Sequence, residues 1–184
     1  LFVMPLDVTD ASERRNITEF IRSRFDRLDC LVNNAGYGLF GALEDLTEHQ
    51  IRRQMEVNFF GAAFLTKDLL PVLRRSRGRV IMISTLCGFS SFPLSSVYCA
   101  SKFAIEGLAE SLYHELKSHG VQVSLVEPAG HRSSFGDNVI WGEQSFESTS
   151  AYAQQSENYR RFKQTLTSWK GHASAPVVQA VVRL

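Results

Sequence analysis

The feature that most constrains this chain is a repeated change of hydrophobic period, from short apolar runs to longer helical stripes and back. Apolar runs occupy residues 2–6, 30–33, 79–84 and 121–126, each too short for a helix and bounded by polar or turn residues. Their Val, Ile and Leu content predicts strands covered on both faces, as in a parallel sheet. Between the first two, residues 11–28 place Ile17, Phe20, Ile21 and Phe25 on one helical face, behind Thr9, Asp10 and Ser12, which offer N-cap chemistry. A second helix is predicted from Thr47, where Thr47-Glu48-His49-Gln50 reads as a capping box, toward Leu73. A third covers residues 96–117. The order β-α-β-α-β-α-β, without repeats or low-complexity linkers, predicts one doubly wound α/β domain over residues 1–184.

Composition narrows the function classes. A net charge of +1 offers no nucleic-acid surface and no polybasic membrane patch. The run Arg74, Arg75, Arg77 and Arg79 reads as a solvated helix end. No apolar run reaches the ~18 residues of a membrane span. Cys30, Cys87 and Cys99 cannot all pair internally and lack metal-ligand spacing, so buried, reduced thiols in a cytoplasmic protein, with no metal site, are expected. The chain starts inside an apolar run and stops after Val181-Val182-Arg183-Leu184, so it is expected to be a fragment cut at both ends.

Gly36-Tyr37-Gly38-Leu39-Phe40-Gly41 matches G-x-G-x-x-G after a strand. A dinucleotide phosphate loop must open directly into a helix, whose N-terminus holds the pyrophosphate. Here residues 42–46 intervene before the capping box. The match is therefore not expected to bind phosphate.

The chemistry-bearing constellation lies further on. Tyr98 and Lys102 stand i, i+4 on a helical segment, which stacks both side chains on one face. An ammonium near a phenol favours phenolate and lowers its pKa. Ser84-Thr85 closes the third apolar run, and Asn33-Asn34-Ala35-Gly36 closes the second, so both sit on the carboxyl rim where such sheets bind ligands. Asn58 lies inside a helical pattern, where a short amide implies a specific hydrogen bond.

Together, Leu6-Asp7-Val8-Thr9-Asp10, Asn33-Asn34-Ala35-Gly36, Asn58, Ser84-Thr85, Tyr98-x-x-x-Lys102 and Pro128-Ala129-Gly130 resemble the short-chain dehydrogenase/reductase family in order and spacing. The resemblance implies a Rossmann-type parallel sheet and an NAD- or NADP-dependent oxidoreductase acting on a carbonyl or secondary alcohol. Tyr98 would be the general acid/base. Lys102 would lower its pKa and hold the nicotinamide ribose, Thr85 would bond the reacting oxygen with Ser84 as fallback, and Asn58 would anchor a water behind Lys102. Asp7 and Val8 would meet the adenine, Asn34, Ala35 and Gly36 the adenosine side, and Pro128, Gly130 and Ser133 the nicotinamide end. Thr85 stands for the usual serine, Pro128-Ala129-Gly130 for Pro-Gly, and Ser133 for threonine.

Against the family pattern, the sheet lacks its first two strands and its last strand, and with them the glycine-rich turn. The missing first strand would leave the runs 2–6 and 30–33 roughly 10 Å apart. The chain alone is therefore expected to be inactive and to bind dinucleotide poorly. The aromatic-rich segment 131–171 is expected to form a substrate loop and lid suited to an apolar small molecule. Homo-oligomers are expected of a full-length parent. A catalytically impaired binding module and an epimerase or dehydratase on the same fold are the alternatives.

Overall fold

A computed structural model describes residues 1–129, 133–168 and 174–184. In chain order its elements are α1 (Ala11–Arg24), β1 (Cys30–Asn33), β2 (Leu39–Phe40), α2 (Glu48–Met55), α3 (Ala62–Ser76), β3 (Arg79–Ile83), α4 (Ser96–Lys117), β4 (Gln122–Val126), β5 (Ile140–Trp141), α5 (Ala153–Ser168) and α6 (Ala175–Arg183). Three strands form a parallel sheet in the order β1-β3-β4, with Leu31 opposite Val80 and Met82 opposite Leu125. Long crossovers through α2–α3 and through α4 make that direction possible.

Local chemistry sets the helix ends. Asp10 caps α1 by accepting from Ser12 and Glu13 N–H groups. Thr47 and Gln50 form the reciprocal capping box at α2. α3 ends at Arg77 in the left-handed conformation, and Arg74, Arg75 and Arg77 are exposed there, with Arg75 paired to Asp26. The core lies where Val80 and Met82 of β3 meet Leu65, Leu69 and Leu73 of α3 and Ile105, Ala109 and Leu112 of α4. Ile81 points to the opposite face and is also fully buried.

Four local expectations are corrected. Residues 2–6 pair with no strand among the described residues. An extended segment becomes a strand only when a neighbour takes up its N–H and C=O groups. This one is held instead by ring packing: Phe2, Phe20 and Phe25 meet edge to face, and Arg24 lies 4.9 Å over Phe2. α1 stops at Arg24, short of residue 28, because Asp26 turns the chain with a φ of 53°. Cys30 is exposed, since β1 alternates exposed and buried residues and only its Leu31/Asn33 face is covered.

The helix from Thr47 is not continuous. It widens into a π-helical turn over Glu56–Gly61 before α3 begins. At its end Val8 packs directly onto Gly61, where a Cβ would lie 2.6 Å from Val8 Cγ2. The π turn carries Asn58 on its buried side. In addition, two short strands unforeseen from the sequence, β2 and β5, pair in parallel and set Phe40 beside Trp141.

Candidate active site

Parallel strands bring their carboxyl ends to one rim, and the predicted site residues gather there. Asn34, Ala35 and Gly36 follow β1 and are exposed. Ser84 and Thr85 follow β3, and Pro128 follows β4. Tyr98 and Lys102 occupy the first turns of α4 and are 6% and 8% exposed.

Ser84 and Thr85 point to opposite sides, as neighbours on an extended chain must. The Thr85 hydroxyl donates to the Pro128 carbonyl at 3.4 Å and lies on the Tyr98 side of the chain, near enough to the phenol to favour its ionised form. Ser84 faces Glu106 instead, so it does not serve as the fallback. Burial pushes the Tyr98 phenol well above its ordinary range. The neighbouring Cys87 and Cys99 thiols act in the same direction, and the Thr85 hydroxyl opposes them. Lys102, by contrast, donates to the Ile83 carbonyl at 2.8 Å, and its pKa is lowered by burial to about 8. Lys102 is not among the groups that shift the Tyr98 phenol here; dehydration is the largest cause.

Asn58 is 2% exposed and bonds in three directions. Its Oδ1 accepts from the Tyr37 N–H at 3.0 Å, while its Nδ2 donates to the Tyr37 carbonyl at 3.0 Å and to Ser101 Oγ at 3.1 Å. Gln54, one turn earlier, accepts from Leu39 N–H at 2.8 Å and donates to the Tyr37 carbonyl at 3.1 Å. Two amides thus clamp the backbone of residues 37–39, and Gly36–Gly41 leads through the two-residue strand β2 rather than opening a helix. Gln54 was missed from the sequence. Its signal was its place one turn before Asn58 on the same helical face.

Gly36 sits over this cluster: a Cβ there would lie 3.2 Å from Asn58 Oδ1 and 3.8 Å from Lys102 Nζ. A cleft of about 380 Å³ opens on the Gly36 side, lined by Tyr37, Val57 and residues 137–140. Tyr98 does not line it. Its ring is closed in by Phe40 at 6.0 Å and Phe135 at 5.6 Å.

The remaining candidates are more dispersed. The Asp7 carboxylate accepts from Thr9 N–H and Oγ1 and lies 3.5 Å from Arg53; these hydrogen bonds hold its pKa below the ordinary value. Val8 is buried against Gly61 and the main core. Ser133 is exposed and accepts from the Phe135 N–H at 3.3 Å. Gly130 lies outside the described residues, as do parts of the 131–171 segment. Its described part supplies Phe135, which meets Tyr98, and Trp141, Phe146, Tyr159 and Phe162, linked to one another by ring contacts.

The residues present fit part of a dinucleotide. The missing Cβ of Gly36 leaves room beside a buried ammonium and an amide, at the edge of a cleft. No glycine-rich turn opening into a helix exists among the described residues to hold a pyrophosphate. Nor do the described residues gather three or more potential metal ligands, and none of their helices is long and apolar enough to cross a membrane.

A parallel sheet with a Tyr–Lys helix and a hydroxyl at the rim defines a Rossmann-type α/β dehydrogenase fold. The short chain dehydrogenase family model matches residues 1–142, and the chain belongs to that family. It is 41% identical to a 3-ketodihydrosphingosine reductase of Bacteroides thetaiotaomicron, over 74% of this chain and 51% of that protein. It is 34% identical to an uncharacterised oxidoreductase of Schizosaccharomyces pombe, over 90% and 59% respectively. Among solved structures, a short-chain dehydrogenase from Streptomyces avermitilis superposes with a TM-score of 0.78 at 37% identity, covering 88% of this chain and 60% of that one. ElxO with NADP bound gives 0.75 at 26% identity, covering 97% and 68%. The chain spans about half to three-fifths of the length of the curated relatives it matches.

Proposed function

We propose that these residues are the catalytic part of an NAD(P)-dependent reductase of an apolar ketone, with Tyr98 as general acid. The observation that carries this is the burial of Tyr98 and Lys102 one helical turn apart on α4, at the rim where Thr85 follows β3. Burial holds the phenol in its protonated form, the form that delivers a proton to an alkoxide oxygen as charge develops there. Thr85 would orient the carbonyl from the other side. Lys102 keeps two N–H donors beyond its bond to Ile83 for ribose hydroxyls. Asn58 holds the floor of the site through Tyr37 and Ser101, and the water it would anchor belongs behind Lys102. The dinucleotide, when bound, supplies the hydride.

Asn34, Ala35 and Gly36 would line its adenosine side, with Asp7 and Val8 toward the adenine. Pro128, Gly130 and Ser133 would line the nicotinamide end. Relatives named for reducing 3-ketodihydrosphingosine and sepiapterin, and a solved relative holding NADP, support this reading. Exposed Phe60, Phe64 and Phe103 on the π turn, α3 and α4 support self-association. Three unpaired cysteines suit a cytoplasmic location.

The test follows nicotinamide absorbance with apolar ketones and NADH or NADPH, comparing wild type, Tyr98→Phe and Thr85→Ala in a protein that carries these residues together with a glycine-rich turn. Loss of at least a hundredfold in turnover on Tyr98→Phe is expected. Unchanged turnover would leave a binding module as the better reading. The 184-residue chain itself is expected to bind either dinucleotide more weakly than micromolar, which calorimetric titration measures.

A further inference from the structure

Tyr98, Lys102 and Glu106 follow one another at four-residue intervals on α4, which brings them to one face of the helix. Glu106 has no part in the chemistry proposed at Tyr98. It is half-buried, and its Oε1 is shut off from water and makes no hydrogen bond among the described residues. That oxygen turns in toward the end of β3: a Cβ on Gly88 would lie 2.5 Å from it and 2.6 Å from Ser84 Oγ. The Lys102 ammonium reaches the same strand end from the preceding turn of α4, donating to the Ile83 carbonyl at 2.8 Å. A carboxyl group and an ammonium therefore flank Ile83 and Ser84, and Gly88, lacking a side chain, leaves room for the carboxyl group.

A carboxylate oxygen buried without a donor is costly unless a cation stands near it. Dehydration, and then the exposed Glu127 after β4, push the Glu106 carboxyl above its ordinary range, against the pull of the Ser84 hydroxyl and Lys102. The reciprocal effect falls on Lys102. Dehydration lowers its pKa to about 8, and two acids oppose that, Cys87 after β3 and Glu106. Cys87 stays a neutral thiol up to about 11, so it carries no charge where Lys102 titrates. Glu106 is then the remaining anion, among the described groups, that acts on Lys102. Glu110 and Tyr113 stand one and two turns farther along α4, away from Lys102.

We propose that Glu106 is a positioning residue of the site, whose carboxylate keeps the Lys102 side chain charged in its dehydrated setting and so fit to hold ribose hydroxyls. This rests on the proposed dinucleotide chemistry and adds to it a residue that touches neither cofactor nor substrate.

The chain, labelled with carbon-13 at lysine Cε, is titrated by nuclear magnetic resonance, and the Lys102 signal is assigned by its loss in Lys102→Met. The wild-type midpoint is expected near 8. Glu106→Gln keeps the shape and removes the charge, and is expected to make Lys102 about fivefold or more acidic. Glu106→Asp, which keeps the charge, should stay closer to wild type than to Glu106→Gln, and Glu127→Gln should leave the acidity within about twofold. Gly88→Ala, which forces Oε1 away, should act in the same direction as Glu106→Gln and replaces it should that variant not fold. An unmoved midpoint in Glu106→Gln, or in Gly88→Ala as its replacement, or an equal shift in Glu127→Gln would overturn the proposal. In the turnover assay, made in a protein that carries these residues together with a glycine-rich turn, the alkaline limb should move to lower pH by the same factor in Glu106→Gln. A moved Lys102 midpoint with an unmoved limb would also overturn it. Unchanged turnover in Tyr98→Phe would instead sink the enzymatic reading, and the Lys102 midpoint is read separately from it.

Discussion

Asn58 and the backbone of Tyr37 hold each other in both directions: the amide oxygen accepts from the Tyr37 N–H and the amide nitrogen donates to the Tyr37 carbonyl, each at 3.0 Å. One side chain thus does for this segment what a neighbouring strand does elsewhere. It fixes the course of residues 36–38 over Lys102, and with it the space that Gly36 leaves open.

Asn58→Ala is expected to destabilise the chain by about 2 kcal/mol, because it leaves the Tyr37 N–H unpaired and opens a small void. Asn58→Asp keeps the acceptor but loses both donor bonds, and is expected to be no better. Urea denaturation measures both. A change within 0.5 kcal/mol, roughly the range of an ordinary surface substitution, would contradict the clamp.

Gly61→Ala is expected to cost about 1–3 kcal/mol, since its new Cβ would lie 2.6 Å from Val8 Cγ2. Val8→Ala alone is also destabilising, because Val8 is part of the main core. The pair made together should lose less than the sum of the two, by about 1 kcal/mol, as one change makes room for the other. Strict additivity in the double-mutant cycle would show that the close approach relaxes at no cost.

The pH dependence of stability should bend. Lys102 has a pKa lowered to about 8 from its ordinary 10.5. Between those values the unfolded chain still carries the proton that the folded chain has lost, so stability rises with pH; that stability is lost again as pH falls through 8. Tyr98 acts the other way. Its folded form keeps the proton above the ordinary value near 10, where the unfolded form ionises, so stability falls as pH rises beyond 10. Unfolding free energies at stepped pH should show Lys102→Met losing the rise from 8 to 10 and Tyr98→Phe losing the later fall. A Lys102→Met profile parallel to wild type would refute the assignment.

Phe135→Ala should admit water to Tyr98, whose ring centroid lies 5.6 Å away. Because burial is the largest cause of the raised phenol pKa, its ionisation midpoint is expected to drop toward 10. Spectrophotometric titration, with Tyr98→Phe subtracted to isolate the signal, reads this directly. An unmoved midpoint would assign the shift to Cys87 and Cys99.

Much of the sheet and half of the site were readable before any coordinates. Residues 30–33, 79–83 and 96–117 form the elements their periods indicated, because alternation and 3.6-residue stripes are local properties. The capping box at Thr47 and the Tyr98–Lys102 pair follow from spacings of three and four residues on a helix. The run 2–6 misled, since hydrophobicity marks a segment as able to pair but does not supply the neighbour. The π turn around Asn58 and the short strands β2 and β5 were equally hidden: Asn58 is buried against Tyr37 and Ser101, and Phe40 pairs with Trp141, all distant in sequence.

The sequence by itself therefore determined the alternation of elements, their direction in the sheet and the face shared by Tyr98 and Lys102. Only the tertiary structure decided that Ser84 turns to Glu106 while Thr85 faces the other way, that Phe40 and Phe135 close over the phenol, and that Lys163 of α5 lies over Phe40. The reason is range. Periodicity and capping act over one or two turns, whereas the water content around a phenol or an ammonium depends on every segment packed against it.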